Sequence, residues 1–472
     1  MLRAAARPGI HSPLVDRQET RQATVNWTVS PAGSNLNGRS IPAVQIIMMI
    51  FRFSLFACGL FLFSQAGAEL VYVKAGQLLD VETGELRPAQ AILIEDGRIV
   101  EIGTANELAI PAEARQVDLS NLTVLPGLSD AHVHLTSNHD QHGFRRLAAS
   151  IPRQALSGAR NANVTLLAGF TTVRNVGAPG FTDVALRDAI AEGDIPGPRL
   201  IVSGPPVGIT GGHCSDNNLL PPHFNAIGEG VADGPWAVRQ AVRRNVKYDV
   251  DMIKTCSTGG VLSRGTQVGA PQYTLEELEA LVDEAHMHGR TVASHAHGTL
   301  GIHNAIRAGV DSVEHASFID QEGIRLAREQ GTILIMDIYV TEFILGEGEA
   351  AGILPASLEK ERQTGTRQRE SFTRALEAGA TLGFGTDAGV FPHGDNARQL
   401  SRMVEFGMTP LQAIQSATLV NARLFGLAED IGRIAPGYRA DLIAVADNPL
   451  EDIETLEQVV FVMKDGQVFL QP

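Results

Sequence analysis

Two histidines separated by one residue are the first candidates for chemistry in this sequence. His132 and His134 follow the apolar stretch 122–128. Residues i and i+2 of an extended strand point to the same side, so both imidazoles can bind one metal ion. Two surface histidines at a strand end explain this stretch equally well. The pair therefore predicts a metal site only if later strands supply further ligands.

Four further polar residues stand at the ends of later apolar runs. They are Lys254, His295, His315 and Asp387. Each has a structural explanation by itself, since His315 can be a hydrogen-bonded core histidine and Asp387 can cap a turn. Unrelated core polar residues, however, need not fall at the same end of successive strands. We therefore predict that all six candidates converge on one site with nitrogen and oxygen donors.

Lys254 has apolar neighbours at alternate positions of the run 250–255, which point its side chain inward. Burying an ammonium is costly and lowers the pKa of the group toward the neutral amine. A neutral amine reacts with carbon dioxide, and the resulting carbamate can bridge two metal ions about 3.5–4 Å apart. A salt bridge between Lys254 and a strand-end carboxylate is the alternative.

Eight apolar runs alternate with helical patterns through the middle of the chain. Besides 125–135, the runs are 171–176, 198–203, 250–255, 290–297, 311–315, 332–339 and 381–387. Helical periodicity fits the intervals, and Thr274 and Glu277 form a capping box before one of them. This alternation predicts an α/β fold, a (β/α)8 TIM barrel with its active site at the C-terminal strand ends. An open doubly wound sheet is the alternative, but no G-x-G-x-x-G follows an early strand.

Short strand patterns stand on both sides of this alternating region. Alternation of apolar residues around the Asp96-Gly97 and Asp465-Gly466 turns predicts hairpins near the beginning and the end. Two β-rich ends around a long middle predict a small sheet domain assembled from both termini.

The N-terminal residues have two compositions. Residues 1–47 are polar without clear periodicity, which is typical of a disordered or spurious extension. Residues 48–68 combine a basic residue, an apolar run and Ala66-x-Ala68, the parts of a signal peptide cleaved after Ala68. A single membrane anchor is the alternative, although the run is short for a span. We predict an exported protein, periplasmic or secreted, with no stable membrane partner after cleavage.

Charge and cysteine content limit the partners. The 472 residues carry a formal charge of −15, which argues against nucleic acid because phosphate binding needs a basic surface. Of the three cysteines, Cys58 falls in the predicted signal peptide. Cys214 and Cys256 can pair, but the sequence does not decide whether they do.

Ordered motifs after residue 68 give the chain a family resemblance. They include Pro126-Gly127-Leu128-x-Asp130-x-His132-x-His134, Met252-Ile253-Lys254, Ser294-His295-Ala296-His297-Gly298, Glu314-His315-Ala316, Gly385-Thr386-Asp387 and Gly432-Arg433-Ile434-x-Pro436-Gly437. With them the chain resembles the amidohydrolase superfamily. Within it, the chain is similar to the binuclear metallo-carboxypeptidase and Xaa-Pro dipeptidase (prolidase-like) group, which includes ochratoxinase-like enzymes.

The resemblance implies a fold and a metal site. The fold would be a (β/α)8 barrel (126–427) beside a small β-sandwich built from both termini (69–125 and 428–472). His132 and His134 would bind the more buried of two divalent ions, and His295 and His315 the more exposed one. N6-carboxylated Lys254 would bridge both ions. Zinc is the first choice, with manganese, iron or cobalt as replacements.

The resemblance also implies a reaction, the cleavage of an amide bond to a C-terminal or N-acylated amino acid by metal-bridged hydroxide. Asp387 would bind the buried ion and carry the proton to the leaving amine. The expected partner is a small-molecule or dipeptide-like amide, including ochratoxin-type amides, and the protein would be a homo-oligomer. His213, His297 and Tyr339 are candidate substrate contacts, although core packing explains Tyr339 equally well.

Two other functions compete with this one. A deaminase or cyclic-amide hydrolase of the same superfamily is the first, but deaminases typically use one metal and lack the lysine at the position of Lys254. A metal-free scaffold or binding protein is the second. Relatives of that kind usually lose ligands, whereas here the set is complete.

Overall fold

Four strands lie near the beginning of the described chain. The computed structural model describes residues 69–214 and 219–472, so the predicted extension 1–47 and signal peptide 48–68 lie outside the described residues. The strands are β1 (Leu70–Leu79), β2 (Leu86–Glu95), β3 (Arg98–Thr104) and β4 (Arg115–Pro126). Strands β2 and β3 form the predicted hairpin, and Asp96 and Gly97 have φ values of +48° and +78°. Positive φ at both central residues suits a two-residue type I′ turn.

Eight parallel strands occupy the predicted apolar runs. They are β5 (Leu128–Val133), β6 (Phe170–Asn175), β7 (Arg199–Val202), β8 (Met252–Cys256), β9 (Thr291–Ala296), β10 (Ser312–His315), β11 (Ile333–Ile335) and β12 (Leu382–Gly383). Strands β5–β7 form one sheet and β8–β12 a second. Two isolated parallel bridges stand between the sheets. Val207, after β7, pairs with Thr255 of β8, and Val133 of β5 pairs with Ala388, after β12. The predicted α/β architecture with parallel strands is confirmed, and barrel closure stays a prediction.

Helices lie between successive parallel strands, as the sequence predicts, and three more α-helices of the described chain follow β12. They are α1 (Ile151–Leu167), α2 (Thr182–Ala191), α3 (Pro235–Lys247), α4 (Leu275–Met287), α5 (Thr299–Ala308), α6 (Gln321–Gln330), α7 (Val340–Gly346), α8 (Pro355–Glu377), α9 (Arg398–Glu405), α10 (Pro410–Gln415) and α11 (Asn421–Leu424). The predicted capping box of Thr274 and Glu277 begins α4. Among the helices of the described ranges, none combines the length and apolar character needed to cross a membrane.

The last three strands complete a sheet that begins at the other end of the described chain. Strands β13 (Leu442–Val445), β14 (Phe461–Lys464) and β15 (Gln467–Leu470) join β1–β4 in the order β15-β14-β13-β4-β1-β2-β3. Val73, Ile92 and Phe461 belong to one buried apolar cluster of these strands. Both ends therefore contribute to one seven-stranded sheet, while its arrangement as a β-sandwich stays a prediction.

Candidate metal centre

Backbone hydrogen bonds place three candidate ligands where β5 and the segment after β12 meet. The N–H of Asp387 donates to the carbonyl of His132 at 2.8 Å, and the N–H of His134 donates to the carbonyl of Ala388 at 2.8 Å. Asp387 has a φ of +61°, a left-handed conformation that residues other than glycine adopt rarely and that clusters at functional sites. These backbone hydrogen bonds thus bring His132, His134 and Asp387 together from two adjoining segments.

Asp130 holds the same junction from inside the core. Its buried carboxylate accepts a hydrogen bond from Thr386 Oγ1 at 2.6 Å and another from Asn396 Nδ2 at 2.8 Å. Burial raises the pKa of Asp130 to about 7 against the effect of these bonds. Asp130 therefore connects β5 to the segment that carries Asp387.

The donor atoms of the predicted ligands form two adjoining groups. Those of His132, His315 and Asp387 lie within 4.8 Å of one another, as do those of His295, His297 and His315. His134 Nε2 is 3.2 Å from Asp387 Oδ1. The structure therefore brings together five of the predicted ligands, which are His132, His134, His295, His315 and Asp387.

Two buried carboxylates orient the ligand rings. Nδ1 of His132 lies 2.8 Å from Glu314 Oε2, and Nδ1 of His315 lies 2.8 Å from Asp337 Oδ1. When Nδ1 of each ring donates to its carboxylate, Nε2 is left for an ion. This arrangement is usual around metal-ligating histidines, because it fixes both the ring orientation and the tautomer.

Burial keeps most histidines of the cluster neutral. It lowers the pKa of His132 to about 3 and the pKa values of His295 and His297 well below the usual value. Burial also acts on His315, but the carboxylates of Asp337 and Asp387 outweigh it and raise the pKa of that ring. Neutral imidazole is the metal-binding form, so three of these rings are in the state that an ion requires.

Lys254 is the sixth predicted ligand, and its side chain is 3% exposed on β8. Burial lowers the pKa of the ammonium to about 8, although the charges of Glu314 and Asp387 oppose the shift. Within residues 69–214 and 219–472, Lys254 forms no ion pair and its Nζ donates no hydrogen bond. The described residues therefore show no salt bridge of Lys254, which was the alternative.

His213 lies beside the cluster. Its ring stacks on that of His295 with 4.2 Å between centroids, and its Nδ1 is 2.7 Å from Ser263 Oγ. Cys214 and Cys256, whose pairing the sequence left open, form a disulfide. That bond ties the residue after His213 to the last residue of β8, whose sulfur lies within 4.8 Å of the donor atoms of His213 and His295.

The other two candidate substrate contacts differ in position. His297 is part of the cluster, and its Nδ1 lies 2.7 Å from Ser317 Oγ. Tyr339 precedes α7 instead of ending a strand, because β11 stops at Ile335. The hydroxyl of Tyr339 accepts a hydrogen bond from Arg398 at 3.4 Å, and its ring packs against Phe391. These contacts fit the packing alternative for Tyr339.

Sequence reasoning assigned no role to the residues behind the ligands. Arg174, 1% exposed, donates to Glu314 Oε1 at 2.8 Å, and Gln368 donates to Asp337 Oδ1 at 2.8 Å. The sequence did offer a signal for Glu314, because this residue directly precedes a candidate ligand, His315, at a strand end. The sequence offered no such signal for Arg174, because its partner Glu314 is 140 residues away.

The parallel strands of this α/β fold gather histidines and carboxylates at one centre, a donor set that suits a metal-dependent enzyme. The model of the Amidohydrolase family matches residues 123–469, and the chain belongs to this family. The family is usually metal-dependent, and the histidine and aspartate groups described above can bind metal.

Particular relatives narrow the group to prolidase-like and ochratoxinase-like proteins. Ochratoxinase of Aspergillus niger is 34% identical over 433 residues, which cover 86% of this chain and 88% of the relative. The crystal structure of an Xaa-Pro dipeptidase with bound methionine has a TM-score of 0.81 and 37% identity, covering 85% of this chain and 100% of the other. A prolidase complexed with N-methylphosphonate-L-proline has a TM-score of 0.79 and 30% identity over the same shares. The chain is thus a hydrolase of the amidohydrolase superfamily.

Proposed function

We propose that this protein is a metal-dependent amidohydrolase that cleaves an amide bond to a C-terminal or N-acylated amino acid. The observation that carries the proposal is the clustering of donor atoms from His132, His295, His315 and Asp387. Similarity to an ochratoxinase and to prolidases supports the substrate class. We further propose that the eight parallel strands close into a (β/α)8 barrel beside a β-sandwich.

The donor set fits two divalent cations. His132, His134 and Asp387 would hold one cation, and His295 and His315 the other. Carboxylated Lys254 would lie between them, which accounts for a buried lysine with no ion pair among the described residues. Zinc suits these nitrogen and oxygen donors. When bound, such a pair of cations lowers the pKa of water and polarises a carbonyl.

Asp387 is the proposed proton carrier. Burial raises its pKa, but the hydrogen bond with His134 and the nearby His132 and His315 leave that pKa well below the usual range. An ionised carboxylate can take the proton of the attacking water and give it to the leaving nitrogen. His213 and His297, at the edge of the cluster, can orient the substrate.

The test pairs elemental analysis with a screen for amine release. The substrates are N-acyl amino acids, Xaa-Pro dipeptides and ochratoxin A, and Lys254→Ala is assayed beside the wild-type protein. We expect close to two zinc-group metals per wild-type chain and release of an amino acid from at least one substrate class. Lys254→Ala should lose metal and activity together.

Other outcomes separate the competing functions. One metal per chain with ammonia released from heterocycles would indicate a deaminase. No bound metal and no turnover would indicate a scaffold protein. Full activity of Lys254→Ala with one metal per chain would contradict the two-cation site.

A further inference from the structure

Lys360, on α8, carries a positive charge that no carboxylate neutralises within the part of the chain that the structure describes. Its Nζ donates to the carbonyl oxygens of Ser263 at 2.8 Å and Gly260 at 3.1 Å. The remaining neighbour, Thr266 Oγ1, lies 3.5 Å away, at the limit of hydrogen bonding. Partial burial lowers the pKa of this ammonium. A half-buried ammonium whose third hydrogen bond is this long can exchange the hydroxyl for an anionic ligand.

Two successive contacts connect the surroundings of Lys360 with the metal centre. Ser263, whose carbonyl binds Lys360, also contacts Nδ1 of His213 through its hydroxyl at 2.7 Å. The ring of His213 in turn stacks on His295, one of the proposed ligands. Gly260 permits this arrangement, because a Cβ there would stand 2.4 Å from the ring of His213.

Helix α8 reaches the centre at a second point. Gln368, on the same helix, donates to Asp337 Oδ1 at 2.8 Å and to the carbonyl of His315 at 3.3 Å. Two turns of α-helix separate Gln368 from Lys360, about 12 Å along the axis. The helix therefore runs past the cluster and places Lys360 at its His213 side.

We propose that Lys360 binds the carboxylate of the amino-acid part of the substrate. The inference rests on the proposed function, in which the leaving group is an amino acid. The carboxylate of such a leaving group is only two bonds from the nitrogen of the cleaved amide. A cation on the His213 side of the cluster can therefore hold it while the amide carbonyl lies at the donor atoms. Lys360 would then select substrates with a free carboxylate over neutral amides.

The competing explanation is that Lys360 only ties α8 to residues 260–266. A tether would affect charged and neutral ligands equally, whereas a carboxylate-binding cation would affect only charged ones. The discriminating quantity is therefore the preference for a free acid over its matched amide.

The experiment measures that preference by binding and by hydrolysis. Calorimetric titration of the metal-loaded protein compares L-methionine with L-methioninamide, and kinetics compare N-acetyl-L-methionine with N-acetyl-L-methioninamide. Lys360→Met keeps the aliphatic stem and removes the charge, and Lys360→Arg keeps the charge. Lys74→Met, at an exposed position of β1, is the matched control. Thermal melting of each variant confirms that it is folded.

We expect Lys360→Met to weaken binding of the free acid about 10- to 100-fold and to leave binding of the amide unchanged. Lys360→Arg should recover part of the loss, and Lys74→Met should match the wild-type protein. An equal loss for acid and amide would overturn the proposal in favour of a tether. So would a wild-type protein without preference for the acid.

Different results would contradict the proposed function and the role of Lys360. If the metal-loaded wild-type protein releases no amine from any acylated amino acid, the proposed function fails whatever the variants do. If it does release amine and Lys360→Met keeps the full preference for the free acid, only the role of Lys360 fails.

Discussion

At the scale of single residues, the candidate centre depends on which ring nitrogen of each histidine faces the cluster. Glu314 and Asp337 engage Nδ1 of His132 and His315. Both carboxylates are buried, so a hydrogen bond to either is screened little by water. Buried residues of the core therefore orient the ligands. Substitution of such a residue should alter metal binding, although the residue does not contact the metal.

Glu314→Gln tests that expectation. The substitution keeps the shape of the side chain but removes the charge that holds the ring of His132 and pairs with Arg174. We expect metal affinity to fall about 10- to 100-fold, measured by competition with a chelator on folded protein. Glu322→Gln, a partly exposed glutamate on α6 that also pairs with an arginine, is the control. Unchanged affinity in Glu314→Gln would show that the carboxylate does not support the ligand.

Asp387→Asn separates metal binding from proton transfer. The amide oxygen can still approach the cation, but the side chain cannot accept a proton. We expect most of the metal to remain and kcat to fall about 100-fold or more, measured by elemental analysis and amine release. Asp447→Asn, at an exposed site, should behave as the wild-type protein. An Asp387→Asn variant with full activity would remove Asp387 from the mechanism.

At the scale of elements, long-range links hold loops and helices in register around the site. The disulfide connects Cys214 to Cys256, the last residue of β8, across 42 residues. Glu284 links two helices, because its carboxylate on α4 accepts hydrogen bonds from Arg239 and Arg243 on α3. Each link can be removed without changing a proposed metal ligand.

Cys214→Ser should lower the free energy of unfolding by up to about 4 kcal/mol, the chain-entropy value for a loop of 42 residues. Urea unfolding of the variant and of the wild-type protein, each with and without a dithiol reductant, measures the effect. The reductant should bring the wild-type protein to the stability of the variant and leave the variant unchanged. The reductant can reach the bond once the chain is unfolded. If it does not change the urea unfolding of the wild-type protein, the bond does not form.

Glu284→Gln should produce a stability loss that depends on pH. The hydrogen bond from Arg243 lowers the pKa of Glu284 from 4.5 to about 2, against the effect of burial. Because the folded-state pKa is the lower one, this stabilisation is fully present above pH 4.5 and is lost as the pH falls toward 2. We expect Glu284→Gln to cost about 1–3 kcal/mol at pH 7 and less at pH 3.5, measured by urea unfolding. Glu279→Gln, exposed on the same helix, should show no such pH dependence.

At the scale of the whole molecule, the proposed ligands come from both parallel sheets. His132 belongs to the β5–β7 sheet, and Lys254, His295 and His315 belong to the β8–β12 sheet. An ion bound between them would link the two sheets beyond the single bridges at Val207 and Val133. Metal binding should therefore contribute to the stability of the whole α/β unit.

Metal removal tests this coupling. Free zinc at 100 times its Kd would stabilise the folded state by about 2.7 kcal/mol per site, because the unfolded chain lacks the assembled site. We expect chelation to lower Tm and added zinc to restore it, and both effects should be smaller in His132→Ala, which loses a ligand of one of the two proposed cations. Equal Tm values for the metal-loaded and metal-free wild-type protein would contradict a structural coupling between ion and sheets.

Local sequence patterns were enough to predict the eight parallel strands, the helices between them and the polar residues at or near the strand ends. Apolar runs and the capping box at Thr274 are local patterns, so they predict elements without knowledge of the partners. Strand order along the chain then predicts that His132, His295 and His315 meet. The family resemblance rests on the same residues, because they lie in ordered motifs.

The residues that support the ligands became evident from the packed fold and not from the sequence. Arg174 meets Glu314 across 140 residues, and Lys360 meets Ser263 across 97. Such contacts depend on how helices and loops pack, and no local pattern encodes them. The same holds for the Cys214–Cys256 bond and for Tyr339, which lies between the end of β11 at Ile335 and the start of α7. Local sequence determines the elements, while the distances between their side chains are properties of the packed fold.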